Sequence, residues 1–137
     1  MKSNKAEIIE FLKHDFPQSL VNCEIEDVFS LGSRLIYKID QEQLRPGGTV
    51  SGPTMMTLAD LALYVAILGE IGIIALAVTT NLNINFLRKP VGNQNLKGEC
   101  RLIKVGRSLI VGEVWIYSMG MDDPVAHVTA TYTIPSI

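Results

Sequence analysis

Residues 48–68 read GTVSGPTMMTLADLALYVAIL, a glycine-rich turn opening into an apolar run that holds one carboxylate, Asp60. Pro53 suits the start of a helix, where its missing N–H would have no partner in any case, and the spacing predicts a helix over 53–68. On such a helix Asp60 shares a face with Thr57 and Tyr64, while Met55, Leu58, Ala59, Ala62, Val65 and Ala66 cover most of the remainder. A charge in an apolar helix costs several kcal/mol unless it is paired, neutralised or used. Either Asp60 accepts hydrogen bonds from Thr57 or a neighbouring strand and is structural, or it is a general base or nucleophile in a partly desolvated cleft. Gly52 stands where the backbone N–H groups of a helix start are unpaired and its dipole favours developing negative charge, an oxyanion site in outline. A carbonyl between Gly52 and Asp60, two helical turns apart, would be polarised from one side and attacked from the other.

Downstream, the run from Leu61 to Val78 is apolar enough to raise a membrane-spanning helix, but Glu70 and the glycines at 69 and 72 divide it. Those breaks favour a buried helix, a turn and the start of a buried strand. From Ala75 to Leu87 the chain is rich in β-branched residues and Asn, with Thr80, Leu82, Ile84 and Phe86 alternating against Asn81, Asn83 and Asn85, which predicts one long strand. Asn95 to Val105, Ser108 to Ser118 and Val125 to Ile134 predict three more, making the C-terminal half an antiparallel meander. Upstream, Ile8, Ile9, Phe11 and Leu12 predict a short amphipathic helix ending near Pro17, and Cys23 to Asp40 reads as two strands about a Gly32-Ser33 turn. The expected fold class is α+β, one domain over residues 1–137 with its main helix packed on an antiparallel sheet.

Composition narrows the partners. With 137 residues, 47% of them hydrophobic and 19% charged, and a formal net charge of −2, the chain has the mix of a single globular domain and no global attraction to nucleic acid or an anionic membrane. The N-terminal residues lack the apolar core of a signal peptide, so a cytoplasmic location is expected. Two cysteines, Cys23 and Cys100, and two histidines, His14 and His127, have no metal-ligand spacing, and no metal is expected.

Several separated segments occur here in one recognisable order: Pro46, Gly48, Ser51-Gly52-Pro53 and Thr57-Leu58-Ala59-Asp60, then Thr80 to Arg88 (TNLNINFLR), Lys104 to Leu109 (KVGRSL) and Val125-Ala126. From Arg45 to Tyr132 the chain thereby resembles the hotdog-fold acyl-CoA thioesterases, in particular the group with the phenylacetate-pathway and 4-hydroxybenzoyl-CoA thioesterases. The pattern of that group runs through Asn or Gln, Pro, Gly and His-Gly-Gly into a helix bearing an acid. Three positions depart from it: Arg45 stands at the Asn or Gln position, Ser51 at the His, and Pro53 at the second glycine. Pro53 lacks an N–H, so Gly52 and Thr54 are the oxyanion candidates.

The resemblance implies a hotdog fold, an antiparallel sheet wrapped around one long helix, and hydrolysis of an acyl-CoA thioester to acid and CoA. Asp60 would activate water or attack the carbonyl, and the Gly52 N–H would polarise its oxygen. Thr57 and Tyr64 would line the acyl pocket or hold the water. Arg88 and the Gly106-Arg107-Ser108 turn would contact CoA; Asn81 is a further substrate-binding candidate, in a stripe with Asn83 and Asn85 that would face a partner subunit. No cofactor is implied beyond CoA as part of the substrate, and the implied assembly is a homodimer pairing again into a dimer of dimers. The alternatives are a non-catalytic acyl-CoA-binding module of the same fold and, more remotely, a hydratase, which would need a His beside the helix.

Overall fold

The computed structural model describes residues 1–74 and 76–135. In chain order, helix α1 (Lys5–Asp15) and a 3-10 turn (Pro17–Leu20) lead to strands β1 (Cys23–Phe29) and β2 (Gly32–Tyr37), helix α2 (Gly52–Ile71), and strands β3 (Val78–Phe86), β4 (Leu96–Val105), β5 (Leu109–Ser118) and β6 (Ala126–Thr133). The six strands form one antiparallel sheet in the order β1-β2-β4-β5-β6-β3, with α2 packed against its inner face. This is the expected α+β hotdog arrangement.

Ser51 caps α2, its Oγ accepting the Thr54 N–H at 3.3 Å, and Pro53 occupies the first turn. The helix runs past the expected end at Leu68. Gly69 lies where an added Cβ would stand 2.7 Å from Val28 Cγ1, and Glu70 Oε1 accepts the Leu31 N–H at 2.9 Å, so neither residue breaks it. Gly72, at φ +102°, ends it. By length and composition α2 could cross a membrane, yet 67% of its apolar window is buried inside the protein, as in a core helix. Its seat on the sheet is made of small residues. Leu58 lies over Gly98 of β4, where an added Cβ would be 3.1 Å from Leu58 Cγ, and Leu63 over Gly112 of β5, where the distance would be 2.6 Å to Cδ2. Ala126, Val128 and Ala130 form the inward row of β6.

Three expectations are corrected. The first hairpin turns at Ser30-Leu31, and Gly32 and Ser33 already belong to β2, because Ser33 is buried with its Oγ donating to the Ala62 carbonyl at 2.7 Å. The meander comprises only β4, β5 and β6; β3 does not pair with β4 but closes the sheet beside β6 as an edge strand. The expected start of that strand, Ala75, lies outside the described residues, and pairing begins at Val78. Finally, the alternation of β3 is interrupted. Thr79 pairs with Tyr132 and Asn81 with Thr131, so Thr80 is an extra residue in a bulge. The bulge turns Thr79 inward, while Asn81, Asn83 and Asn85 face outward opposite Thr131, Thr129 and His127.

Candidate active site

Asp60 is half-buried on the side of α2 that meets β3 and β6. Thr79 Oγ1 donates to Asp60 Oδ1 at 2.6 Å, and the Tyr132 hydroxyl donates to the same oxygen while lying 2.8 Å from the Asp60 main-chain carbonyl. The neighbouring strands therefore hold the carboxylate. Thr57 does not, because its hydroxyl donates to the Pro53 carbonyl at 3.0 Å. Oδ2 has no hydrogen-bond partner among the described residues. Burial first, and then the Asp60 charge, push the Tyr132 hydroxyl far above the usual phenol range, so it remains a protonated donor.

Asp60 opens onto a cavity of about 640 Å³, within the range of small-molecule sites. Thr57 and Tyr64 line it with Asp60, as their common helix face requires; Tyr37 comes from β2, and Phe11, Asp15, Phe16, Gln18, Ser19 and Asn22 from the N-terminal segment. Burial raises the Tyr64 hydroxyl, and the Asp15 charge adds to the shift, which keeps that phenol neutral too.

Gly52 occupies a different place. Of the first four helix positions, Pro53 has no N–H, Thr54 N–H is taken by Ser51 Oγ at 3.3 Å, and Met55 N–H reaches the Ser51 carbonyl at 3.4 Å. Only the Gly52 N–H donates to no described residue, which removes Thr54 as an oxyanion candidate. Gly52 lines a second cavity, about 330 Å³, with Arg45, Phe86, Arg88 and Lys89. Its separation from Asp60 along the helix is about 12 Å at 1.5 Å per residue. Within one chain the two groups do not converge on one carbonyl.

Arg88 thus stands beside Gly52, with its guanidinium also donating to the Pro124 carbonyl. Asn81 and the Gly106-Arg107-Ser108 turn line neither cavity. Gln43, two residues before Arg45, is buried, with its side-chain oxygen accepting the Asp40 N–H at 2.7 Å. Sequence reasoning missed Thr79, Tyr132 and the aromatic wall of Phe11 and Phe16. For Tyr132 the signal was present, a single phenol closing the inward row Ala126, Val128, Ala130. Among the described residues no group of three or more His, Cys, Asp or Glu side chains is placed to hold a metal ion.

Residues 47–124 match the family model described as the thioesterase superfamily. A crystal structure from Silicibacter sp. TM1040, described there as a candidate thioesterase, is 41% identical over 97% of this chain and 92% of its own, with a TM-score of 0.90. A thioesterase-like protein of Streptococcus pneumoniae solved with coenzyme A shares the fold at 21% identity, over 93% of this chain and 97% of its own, with a TM-score of 0.80. The PaaI protein of the E. coli phenylacetic acid degradation operon shares it at 17% identity, over 94% and 91% of the two chains, with a TM-score of 0.82. No match is found among curated proteins. With the family model spanning more than half of its residues, and with the hotdog sheet and helix in place, the chain belongs to the thioesterase superfamily.

Proposed function

We propose that this protein hydrolyses an acyl-CoA thioester to the free acid and CoA, with Asp60 activating water or attacking the carbonyl and the Gly52 N–H polarising the carbonyl oxygen. The observation that carries the proposal is the Asp60 carboxylate, fixed through one oxygen by Thr79 and Tyr132, with no partner for the other among the described residues, and opening onto a cavity of about 640 Å³. A carboxylate so held is a ready general base or nucleophile. Thr57 and Tyr64 line the acyl group, and Arg88, with Arg45 and Lys89 beside it, supplies positive charge for the CoA phosphates near Gly52. The two buried free thiols support a cytoplasmic location, where thiols stay reduced.

The distance between Gly52 and Asp60 supports a homodimer. Edge strand β3 links both cavities: Val78 and Thr79 at its start line the Asp60 cavity, and Phe86 at its end lines the Gly52 cavity. Antiparallel pairing of β3 with β3 of a second copy sets the start of one against the end of the other. That pairing brings Asp60 of one protomer toward Gly52 of its partner, extends the sheet across the two copies, and covers an edge that exposes Val78, Phe86 and Leu87. The Asn81, Asn83 and Asn85 stripe lies on the outer face at the same junction, where pairing into a dimer of dimers would use it. Hydrolysis of a panel of aliphatic and aromatic acyl-CoA esters, followed by release of the CoA thiol, tests the proposal. Turnover abolished by Asp60→Asn is expected, and a pure protein that cleaves no member of the panel overturns it.

A further inference from the structure

We infer that Tyr132 is a positioning residue of the reaction, fixing which oxygen of the Asp60 carboxylate works on the substrate; this rests on the function proposed above. Tyr132 is 2% exposed and lies directly across the sheet pairing from Thr79. Its ring is the one large group on the inward row of β6 after Ala126, Val128 and Ala130, so it alone spans the gap from that strand to α2. At its end the hydroxyl meets Asp60 Oδ1, the atom that Thr79 Oγ1 also reaches at 2.6 Å.

Two donors on one oxygen have a geometric and an electrostatic effect. The terminal torsion of an aspartate is broad and nearly two-fold, so an unheld carboxylate exchanges its oxygens and wanders. Donors converging on Oδ1 stop the exchange and leave Oδ2 as the oxygen that meets water or carbonyl. Hydrogen bonds to the ionised form also favour that form. A phenol so buried, with its proton held by burial and by the Asp60 charge, donates throughout the working pH range. Threonine by itself is a weaker guide, since its hydroxyl is on a strand edge and Tyr132 is locked in the core. The other titratable groups packed around this pair are Tyr64 on α2, Tyr37 on β2, Asp15 at the end of α1 and Cys100 on β4.

Tyr132→Phe keeps the ring and removes only the donor. The expected result is a fall in kcat of about 10- to 100-fold with KM changed less than about threefold, the loss typical of a misplaced catalytic group. The acid limb of the kcat/KM profile should move to higher pH, because a donor to the carboxylate is gone. A variant within about threefold of wild-type kcat, or one that loses kcat while its acid limb stays in place, overturns the inference. A second measurement does not require turnover. The Asp60 carboxyl is followed by 13C NMR titration in the wild type, in Tyr132→Phe and in Thr79→Ser, which retains a hydroxyl. An Asp60 midpoint raised in Tyr132→Phe but not in Thr79→Ser supports the role of the phenol even if no acyl-CoA is cleaved, and an unmoved midpoint refutes it. Failure of the hydrolysis panel with a raised midpoint would therefore count against the proposed function and not against Tyr132.

Discussion

Gly52→Pro isolates the proposed oxyanion donor, because proline removes the N–H at the residue that opens the helix. Ser51 has φ −69° and ψ 150°, the conformation demanded of a residue before proline, and Gly52 opens the helix, where proline is welcome. An added Cβ would lie 3.1 Å from Phe86 Cζ, and that ring is 53% exposed and able to turn aside. Gly52→Ala adds the same Cβ and keeps the N–H, so comparing the two variants removes the steric contribution. Since Gly52 has the one first-turn N–H that donates to no described residue, no neighbouring donor compensates. The expected difference is about 10²- to 10³-fold in kcat, or about 3–4 kcal/mol of transition-state stabilisation, read by thiol release under saturating acyl-CoA. Gly52→Pro within about threefold of Gly52→Ala would refute the donor role. Co-expression of Gly52→Pro with Asp60→Asn then tests which chain supplies each group. If sites are shared between protomers, random pairing makes half the dimers mixed, each with one intact site of two, and restores about a quarter of wild-type activity. A mixture as inactive as its parents would refute the shared site.

Asp60→Asn retains an acceptor for Thr79 and Tyr132, so calorimetry should show a Tm within a few degrees of wild type while hydrolysis falls by about 10²-fold or more; a collapse of Tm would make Asp60 structural. Gly98→Ala presses a methyl against Leu58 at 3.1 Å in a filled core and should cost about 1–3 kcal/mol in urea unfolding; an unchanged midpoint would contradict the tight seat of α2. Burial pushes the Cys23 and Cys100 thiols up to about 12, so at pH 8 a thiol reagent should label neither until the protein unfolds, and rapid native labelling would contradict their burial. The sign for stability follows: the folded values lie above the unfolded value near 9, so the contribution of these neutral thiols is intact below pH 9 and declines as pH rises toward 12.

The central helix was legible in the sequence because Pro53 and a long apolar run signal it on any surface, and Asp60 stood out as a lone charge within that run. The common face of Thr57, Asp60 and Tyr64 follows from helix geometry alone, and all three line one cavity. The partners of Asp60 were not legible. A two-residue period placed Thr80 with Leu82, Ile84 and Phe86, but one bulged residue moved Thr79 to the inside instead. A bulge leaves no periodic trace, and its position depends on the pairing partner. The helix end at Ile71 was similarly hidden, since Gly69 and Glu70 read as breakers until Val28 and the Leu31 N–H are seen against them. The separation of Gly52 from Asp60 needed only the helical rise, but the route by which a second copy would reunite them depends on β3 lying at an edge, which is a property of strand order and not of any local run.

The glycines under α2 also act as an angular stop. Apart from the narrow face of Thr57, Asp60 and Tyr64 the helix is largely buried, and Leu58 in the Gly98 socket and Leu63 in the Gly112 socket fix its rotation about its own axis. A carboxylate about 6 Å from the axis moves about 1 Å for each 10° of roll, and 1 Å of misplacement can cost about 10²-fold in rate. Core residues of the helix that touch no substrate thus calibrate where Asp60 points, and a repacked core that keeps full stability can still detune the site.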